Sequence, residues 1–376
     1  MPFGDRSAVS QKLEFVRLAS REGANVSALC RQFGIGRTCG HKLIARYLSE
    51  GEGGLVERSR RPRSSPSKST SQVEAAVLSI RAEHPSWGGR KIARVVARTE
   101  QARPAASTVT AIMQRNGITL GAMGGGAKPF MRFEHKAPND LWQMDFKGHV
   151  AMRASRLHPL TVLDDHSRFC VLLGACANQT TATVQACLVA AFRRYGLPFR
   201  IAVDNGAPWG SGGGGDFTVL TVWLIEIGIG VSHSRPYHPQ TLGKDERFHR
   251  SLKAEALQGP PFAGLAQAQV AFDHWRHVYN AERPHDALGG AVPLDRYRIS
   301  PRPYREAVEP FDYATDDLVR RVQQTGVVSL LGYAFKLGKA FARKVVAFRP
   351  TATDGVFDAF FRHQKIETID LNALKR

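Results

Sequence analysis

Four carboxylates stand where chain geometry can draw them together. Asp145 follows "LWQM" in an apolar run, and Asp204 closes "IAV" just before the turn residues "NG". Asp245 and Glu246 lie side by side in "LGKDERFHRSLK", among Lys244, Arg247, Arg250 and Lys253. Strand ends are where α/β domains assemble their sites. In a helix starting near Gly243, a rotation of about 100° per residue puts Glu246, Arg250 and Lys253 on one face and Phe248, Leu252 and Ala256 on another. Asp245 lies over the apolar face in the first turn, where its charge meets the positive end of the helix dipole. Asp245 is therefore expected to cap the helix and Glu246 to act.

Three carboxylates drawn together repel one another and stay ionised only when cations join them. Their oxygens suit Mg²⁺ or Mn²⁺, ions that take few protein ligands and complete their shells with water and substrate phosphate. Two such ions about 4 Å apart stabilise both the entering and the leaving oxygen of an in-line phosphoryl displacement. Taken singly these acids are weak signals, since an Asp at a strand end is commonly a turn former and "DNG" alone reads as a tight turn. Asp164-Asp165-His166 competes for the metal role, against a role with Arg168 in organising a turn. His233, His238, His249 and His285 match no short zinc motif, and the histidine on the helix reads as a neighbour of nucleic acid.

The charge balance names the partner. Over 376 residues, Lys and Arg number 52 against 33 Asp and Glu, a net charge of +19, with an isoelectric point near 10.1. That excess points to a polyanion. Apolar runs fall far short of the roughly 18 residues of a spanning helix, and "MPFGDRSAVS" lacks a secretory layout. Double-stranded DNA is the partner expected, with no membrane and no small-molecule substrate, in the cytoplasm. Cys30, Cys39, Cys170, Cys176 and Cys187 form no CxxC pair and read as buried free thiols in a reducing compartment.

Elements that position the acids come from periodicity. Three short helical patterns fill 1–56 and make a helix-turn-helix whose third helix shows Arg37, Thr38, His41 and Lys42. An extended linker, 57–71, carries Arg58, Arg60, Arg61 and Arg63, suited either to a minor groove or to plain solvation. Helical patterns over 72–120, the last capped by Ser107, suggest a second helix-turn-helix; with the first it could clamp a long site, or else serve as a spacer. A glycine-rich linker, 121–138, precedes an α/β domain with a mixed sheet at 139–300. Alternating segments over 310–376 suggest a small β-barrel.

At this point the sequence resembles the DDE transposases of bacterial insertion sequences, with their retroviral-integrase-like, ribonuclease-H-like core. The resemblance rests on "LWQMDFKG", "VLDDHSR", "VDNG", "HPQTLGKDERFHRSLK" and "YNAERPHDALGG" across 139–297, and on "LCRQFGIGRT" and "RSRRPR" nearer the start. It implies that Asp145, Asp204 and Glu246 are the catalytic, metal-binding triad for two Mg²⁺ or Mn²⁺ ions. It makes Lys253 the basic residue two turns past the acid, with Lys244, Arg247 and Arg250 as further DNA contacts. The 41 residues between Asp204 and Glu246 exceed the interval common in that family, and the glycine-rich 208–217 accounts for the excess. "GRTCGHKL" departs from the aromatic-rich recognition helix such proteins carry. The implied activity is binding of terminal inverted repeats by a homo-oligomer, then 3′-end cleavage and strand transfer. A DNA-binding regulator with an inactive core and a metal-dependent nuclease without strand transfer are the alternatives.

Overall fold

The computed structural model describes residues 8–59, 68–100, 102–118, 134–210, 217–233 and 243–374. Arg60, Arg61, Arg63 and His238 lie outside them. The chain divides into two units, residues 1–68 and 69–376.

In the first unit α1 (Ala8–Ala19), α2 (Val26–Gln32) and α3 (Arg37–Glu50) enclose Phe15, Val16, Cys30, Leu43 and Leu55. Asn25 starts α2 because its side chain accepts from the Ala28 amide at 3.0 Å. Gly40 lets α3 cross closely: a Cβ there would lie 2.5 Å from Cys30 Sγ and 3.0 Å from Phe15 Cζ. Arg37, Thr38, His41 and Lys42 are exposed along α3. Cys39, expected inside, is exposed on the same helix.

The second unit opens with α4 (Ser71–Glu83), α5 (Gly89–Thr99) and α6 (Ala106–Arg115). These pack around Val77, Trp87, Ile92, Val96, Val109, Ile112 and Met113. The expected cap of α6 is corrected: the helix begins two residues earlier than a Ser107 cap would set it, Ala105 occupies the N-cap, and no side chain caps it. This bundle is fastened to the remainder of its unit, because Val278 enters its core and Arg94 donates to the Gly289 carbonyl at 2.6 Å.

The central domain is a mixed sheet. Its strands are β1 (Trp142–Phe146), β2 (Val150–Ala151), β3 (Arg156–Asp164), β4 (Cys170–Cys176), β5 (Arg200–Val203) and β6 (Gly230–His233). They pair in the order β2-β3-β1-β5-β6, with β4 also on β3. β1 runs antiparallel to β3 and parallel to β5, and β5 runs parallel to β6. One face of this sheet is apolar: Trp142, Met144, Ile201 and Val203 pack with Val184, Leu188 and Phe192 of α7 (Thr181–Tyr195) and with Leu220 and Leu224 of α8 (Val219–Glu226). The other face carries α9 (Gly243–Ala256) and α10 (Leu265–Ala281), where Phe248, Leu252, Phe272 and Trp275 meet Leu157, Leu163 and Leu173. Side chains alternate across a strand, so Gln143 and Asp145 of β1 point to the α9 face.

The C-terminal segment is β7 (Leu318–Arg321), β8 (Val327–Leu330), β9 (Tyr333–Lys336), β10 (Val345–Pro350), β11 (Val356–Phe361) and β12 (Gln364–Asp370). A closed barrel was the expectation here. The strands instead form an antiparallel sheet in the order β12-β11-β10-β7 and a separate β8-β9 ladder, and among the described residues no pairing closes them. Closure is replaced by packing on the central domain, whose apolar core continues into Val346, Phe348 and Phe361. The Gln364 side chain bonds both the amide and the carbonyl of Val231, each at 3.2 Å, and so blunts the edge strand β6.

Candidate active site

Sheet register delivers the two aspartates. In the parallel pair, Trp142 faces Ile201 and Gln143 faces Ala202; carried two residues further, Asp145 is level with Asp204. Both leave the sheet on the α9 side, because their neighbours Met144 and Val203 fill the opposite core. Asp204 is held in its turn by one oxygen. Its Oδ1 accepts from the Gly206 amide at 3.0 Å and from the Trp209 indole, and Trp209 is buried. The "DNG" turn and the functional reading of Asp204 are therefore compatible, since the turn engages Oδ1 alone among the described residues.

Glu246 comes from the first turn of α9 and is exposed, as are Arg247, Arg250 and Lys253. Its charge reaches Asp145. Burial pushes the Asp145 carboxyl up to about 6, and the negative charges of Asp204 and Glu246 add to that rise. Asp145 thus feels the charge of both other acids, a like-charge repulsion that a bound cation would relieve. An all-oxygen donor set with a like-charge penalty fits a hard divalent ion. As the side chains stand, no three His, Cys, Asp or Glu among the described residues close into a chelating group.

Three residues behave otherwise than the sequence suggested. Asp245 does not cap: it is 1 % exposed, and neither carboxylate oxygen has a hydrogen-bond partner among the described residues. Burial raises its pKa well above the ordinary value, and the charges of Asp145 and Asp165 raise it further. Lys244, expected on DNA, turns inward onto the fully buried Asp165. His249, expected beside nucleic acid, is 8 % exposed, with Nε2 2.9 Å from Thr161 Oγ1 and Nδ1 3.9 Å from Asp145 Oδ2. Burial, with the charge of Lys147, lowers its pKa to about 4 and keeps the ring neutral. The signal for His249 was its spacing, since it lies four residues beyond Asp245 and shares that helix face.

The rival acids at the β3–β4 corner are fully engaged. Asp164 accepts from the amides of Asn139 (2.7 Å) and Ser167 (2.8 Å) and from the Ser167 hydroxyl (2.6 Å). Asp165 accepts from Gln143 Nε2 and from the His135 amide, both at 2.8 Å, and Arg168 donates to its carbonyl at 2.9 Å. They organise the corner.

Comparison with known proteins finds similarities along most of the chain. Models described as "Integrase core domain" match residues 135–239 and 227–293, and the "IS481 family transposase, C-terminal domain" matches 317–376. A "Helix-turn-helix domain" matches 11–63 and a "Homeodomain-like domain" 39–113. Among curated relatives, an insertion element IS476 uncharacterized 39.2 kDa protein of Xanthomonas euvesicatoria is 31% identical over 156 residues, 42% of this chain and 43% of the relative. An insertion element IS407 uncharacterized 31.7 kDa protein of Burkholderia multivorans is 28% identical over 159 residues, 42% of this chain and 55% of the relative. The chain spans about half the length of these relatives. Among solved structures, the HTLV-2 integrase catalytic core domain in complex with magnesium is 15% identical, with TM-score 0.33, covering 43% of this chain and 99% of that one. A simian T-cell lymphotropic virus intasome in complex with PP2A regulatory subunit B56 gamma is 14% identical, with TM-score 0.38, covering 77% and 99%. The chain thus carries matches to helix-turn-helix, integrase core and IS481-family transposase C-terminal domain models, and part of it is similar to proteins of insertion elements.

Proposed function

We propose that the protein is a DDE transposase that cleaves the 3′ ends of its element and joins them to target DNA by metal-dependent phosphoryl transfer. The observation that carries this reading is the parallel β1–β5 register, which sets Asp145 beside Asp204 under the helix that bears Glu246. These three residues would hold two Mg²⁺ or Mn²⁺ ions. Bound there, the ions supply Lewis-acid stabilisation of the attacking and departing oxygens.

The protein's own groups prepare that site. Trp209 and Gly206 fix one oxygen of Asp204 and so orient the other. His249 stays uncharged and leaves the negative charge of Asp145 uncancelled. Exposed Arg247, Arg250 and Lys253 on α9 would grip the DNA backbone beside the reacting phosphate, while Arg37, Thr38, His41 and Lys42 on α3 would read the terminal inverted repeats. Arg58, with the other arginines of 57–71, would track the minor groove, and the 72–120 bundle would add a second DNA-binding module. The working form would be a homo-oligomer on two paired ends, in the bacterial cytoplasm.

A strand-transfer assay with paired end DNA and Mg²⁺ tests the reading, run beside Asp204→Asn. Joined product from the wild type and none from the variant is the expected result. Equal product from both ends the enzyme claim, and nicked ends without joining point to a nuclease.

A further inference from the structure

Glu246 has to be delivered to two aspartates that belong to a rigid sheet, yet it stands exposed in the first turn of a helix. The apolar face of α9 begins to grip only further along, at Phe248 and Leu252. Something must fix the first turn. Two residues before Glu246, Lys244 reaches down with its side chain 16% exposed and places Nζ on Oδ1 of Asp165 and 3.3 Å from the Asp165 carbonyl. Asp165 is 0% exposed and cannot move to meet it, because the His135 amide holds its Oδ2 at 2.8 Å. The same Oδ1 that receives Lys244 also accepts from Gln143 Nε2 at 2.8 Å. Gln143 lies two residues before Asp145 on the same face of β1.

The path is therefore closed at both ends by the acids of the site: Glu246, Lys244, Asp165, Gln143, Asp145. We infer that Asp165 and Lys244 are positioning residues, a buried ionic strut that ties the helix carrying Glu246 to the strand carrying Asp145 and sets the spacing at which those two share a divalent ion. This rests on the triad proposed above. A Lys at 244 in this place is not a phosphate contact, since its charge is spent on a side chain below the helix rather than on the surface beside Arg247 and Arg250. Removing an orienting partner of a metal ligand weakens metal binding roughly 10- to 100-fold.

Mn²⁺ binding to the full chain without DNA, read by the loss of the free-ion electron paramagnetic resonance signal, tests the strut. Lys244→Met and Asp165→Asn should each weaken Mn²⁺ binding at least about tenfold, and Lys244→Arg, which keeps the charge, should recover most of it. Asp165→Asn keeps the shape and removes the charge, though its Nδ2 then faces one of the donors that Asp165 accepts from, and it reports on the ion pair even where Lys244→Met folds poorly. The slope of log DNA affinity against log salt should match the wild type in Lys244→Met. If wild type binds Mn²⁺ and both variants bind it equally well, the strut is wrong while the triad stands. A slope reduced by about 0.9 for Lys244→Met would return that lysine to the DNA backbone and also overturn the inference. Wild type that binds no Mn²⁺ removes the triad itself.

Discussion

Two acidic regions lie within one sheet of each other and have opposite chemistries. At the β3–β4 corner, Asp164 and Asp165 are fully buried, and each carboxylate is surrounded by donors: backbone amides, a serine hydroxyl, a glutamine amide and a lysine. At the ends of β1 and β5, Asp145 stands level with Asp204, and burial with the charges of Asp204 and Glu246 drives it towards its neutral form. A carboxylate satisfied by the protein is finished structure. One left under like-charge repulsion in a partly open site is what the proposed divalent ions would complete.

The largest effect should come from the under-satisfied region. Asp204→Asn should cut strand transfer on the order of a thousandfold, since a metal site contributes several kcal/mol to the transition state. Chemical denaturation of the same variant should change little, because Oδ1 can still accept from Gly206 and Trp209.

Asp164, at the corner but outside the Lys244–Asp165 strut, should respond in reverse. Asp164→Ala strands three buried donors and should lower stability by about 3 kcal/mol, read from urea melts. Among correctly folded molecules, Mn²⁺ affinity should persist. Loss of metal binding at full stability would dissolve the distinction between the two regions.

Titration offers a finer contrast within the site. The folded pKa of Asp145 is raised, so its contribution favours folding below about pH 4 and is lost as pH rises through 6. The folded pKa of His249 is lowered to about 4, so its contribution is present above about 6.5 and is lost as pH falls through 4. The two slopes oppose each other across the same window. Relative to wild type, Asp145→Asn should gain on the order of 2 kcal/mol between pH 4 and 6, whereas His249→Phe should gain as pH falls. Saturating Mg²⁺ should abolish the first difference, because a bound cation favours the ionised carboxylate.

Smallest are the surface charges of α9. Arg250→Ala and Lys253→Ala should each reduce the log–log salt slope of DNA binding by about 0.9, with stability unchanged. A pair of variants with the wild-type slope would take α9 off the DNA.

Much of this was legible in the chain. Alternation in "LWQMDF" and "RIAVDNG" already put Asp145 and Asp204 on a different face from Trp142, Met144, Ile201 and Val203, and the helical repeat already separated Glu246 from Phe248 and Leu252. Gly196, with φ +75°, ends α7, and a glycine closing a helical pattern is a stop that can be read from the chain. The start of α6 was not legible: Ser107 was expected to cap it, but Ala105 holds the N-cap, with no side-chain hydrogen bond to mark the place. Nor was the open C-terminal sheet, since alternation gives strands but not whether their edges meet.

The sequence by itself determined which carboxylates stand at strand ends, which side of α9 carries Glu246 and its cations, and that the chain would seek a polyanion. These depend on local periodicity and summed charge. Only the tertiary structure decided that Lys244 turns in to Asp165, that Asp245 lies buried without a partner among the described residues, and that His249 sits neutral against Asp145. Each of those outcomes depends on which surface is placed opposite the side chain, and burial, unlike periodicity, is a property of two elements at once.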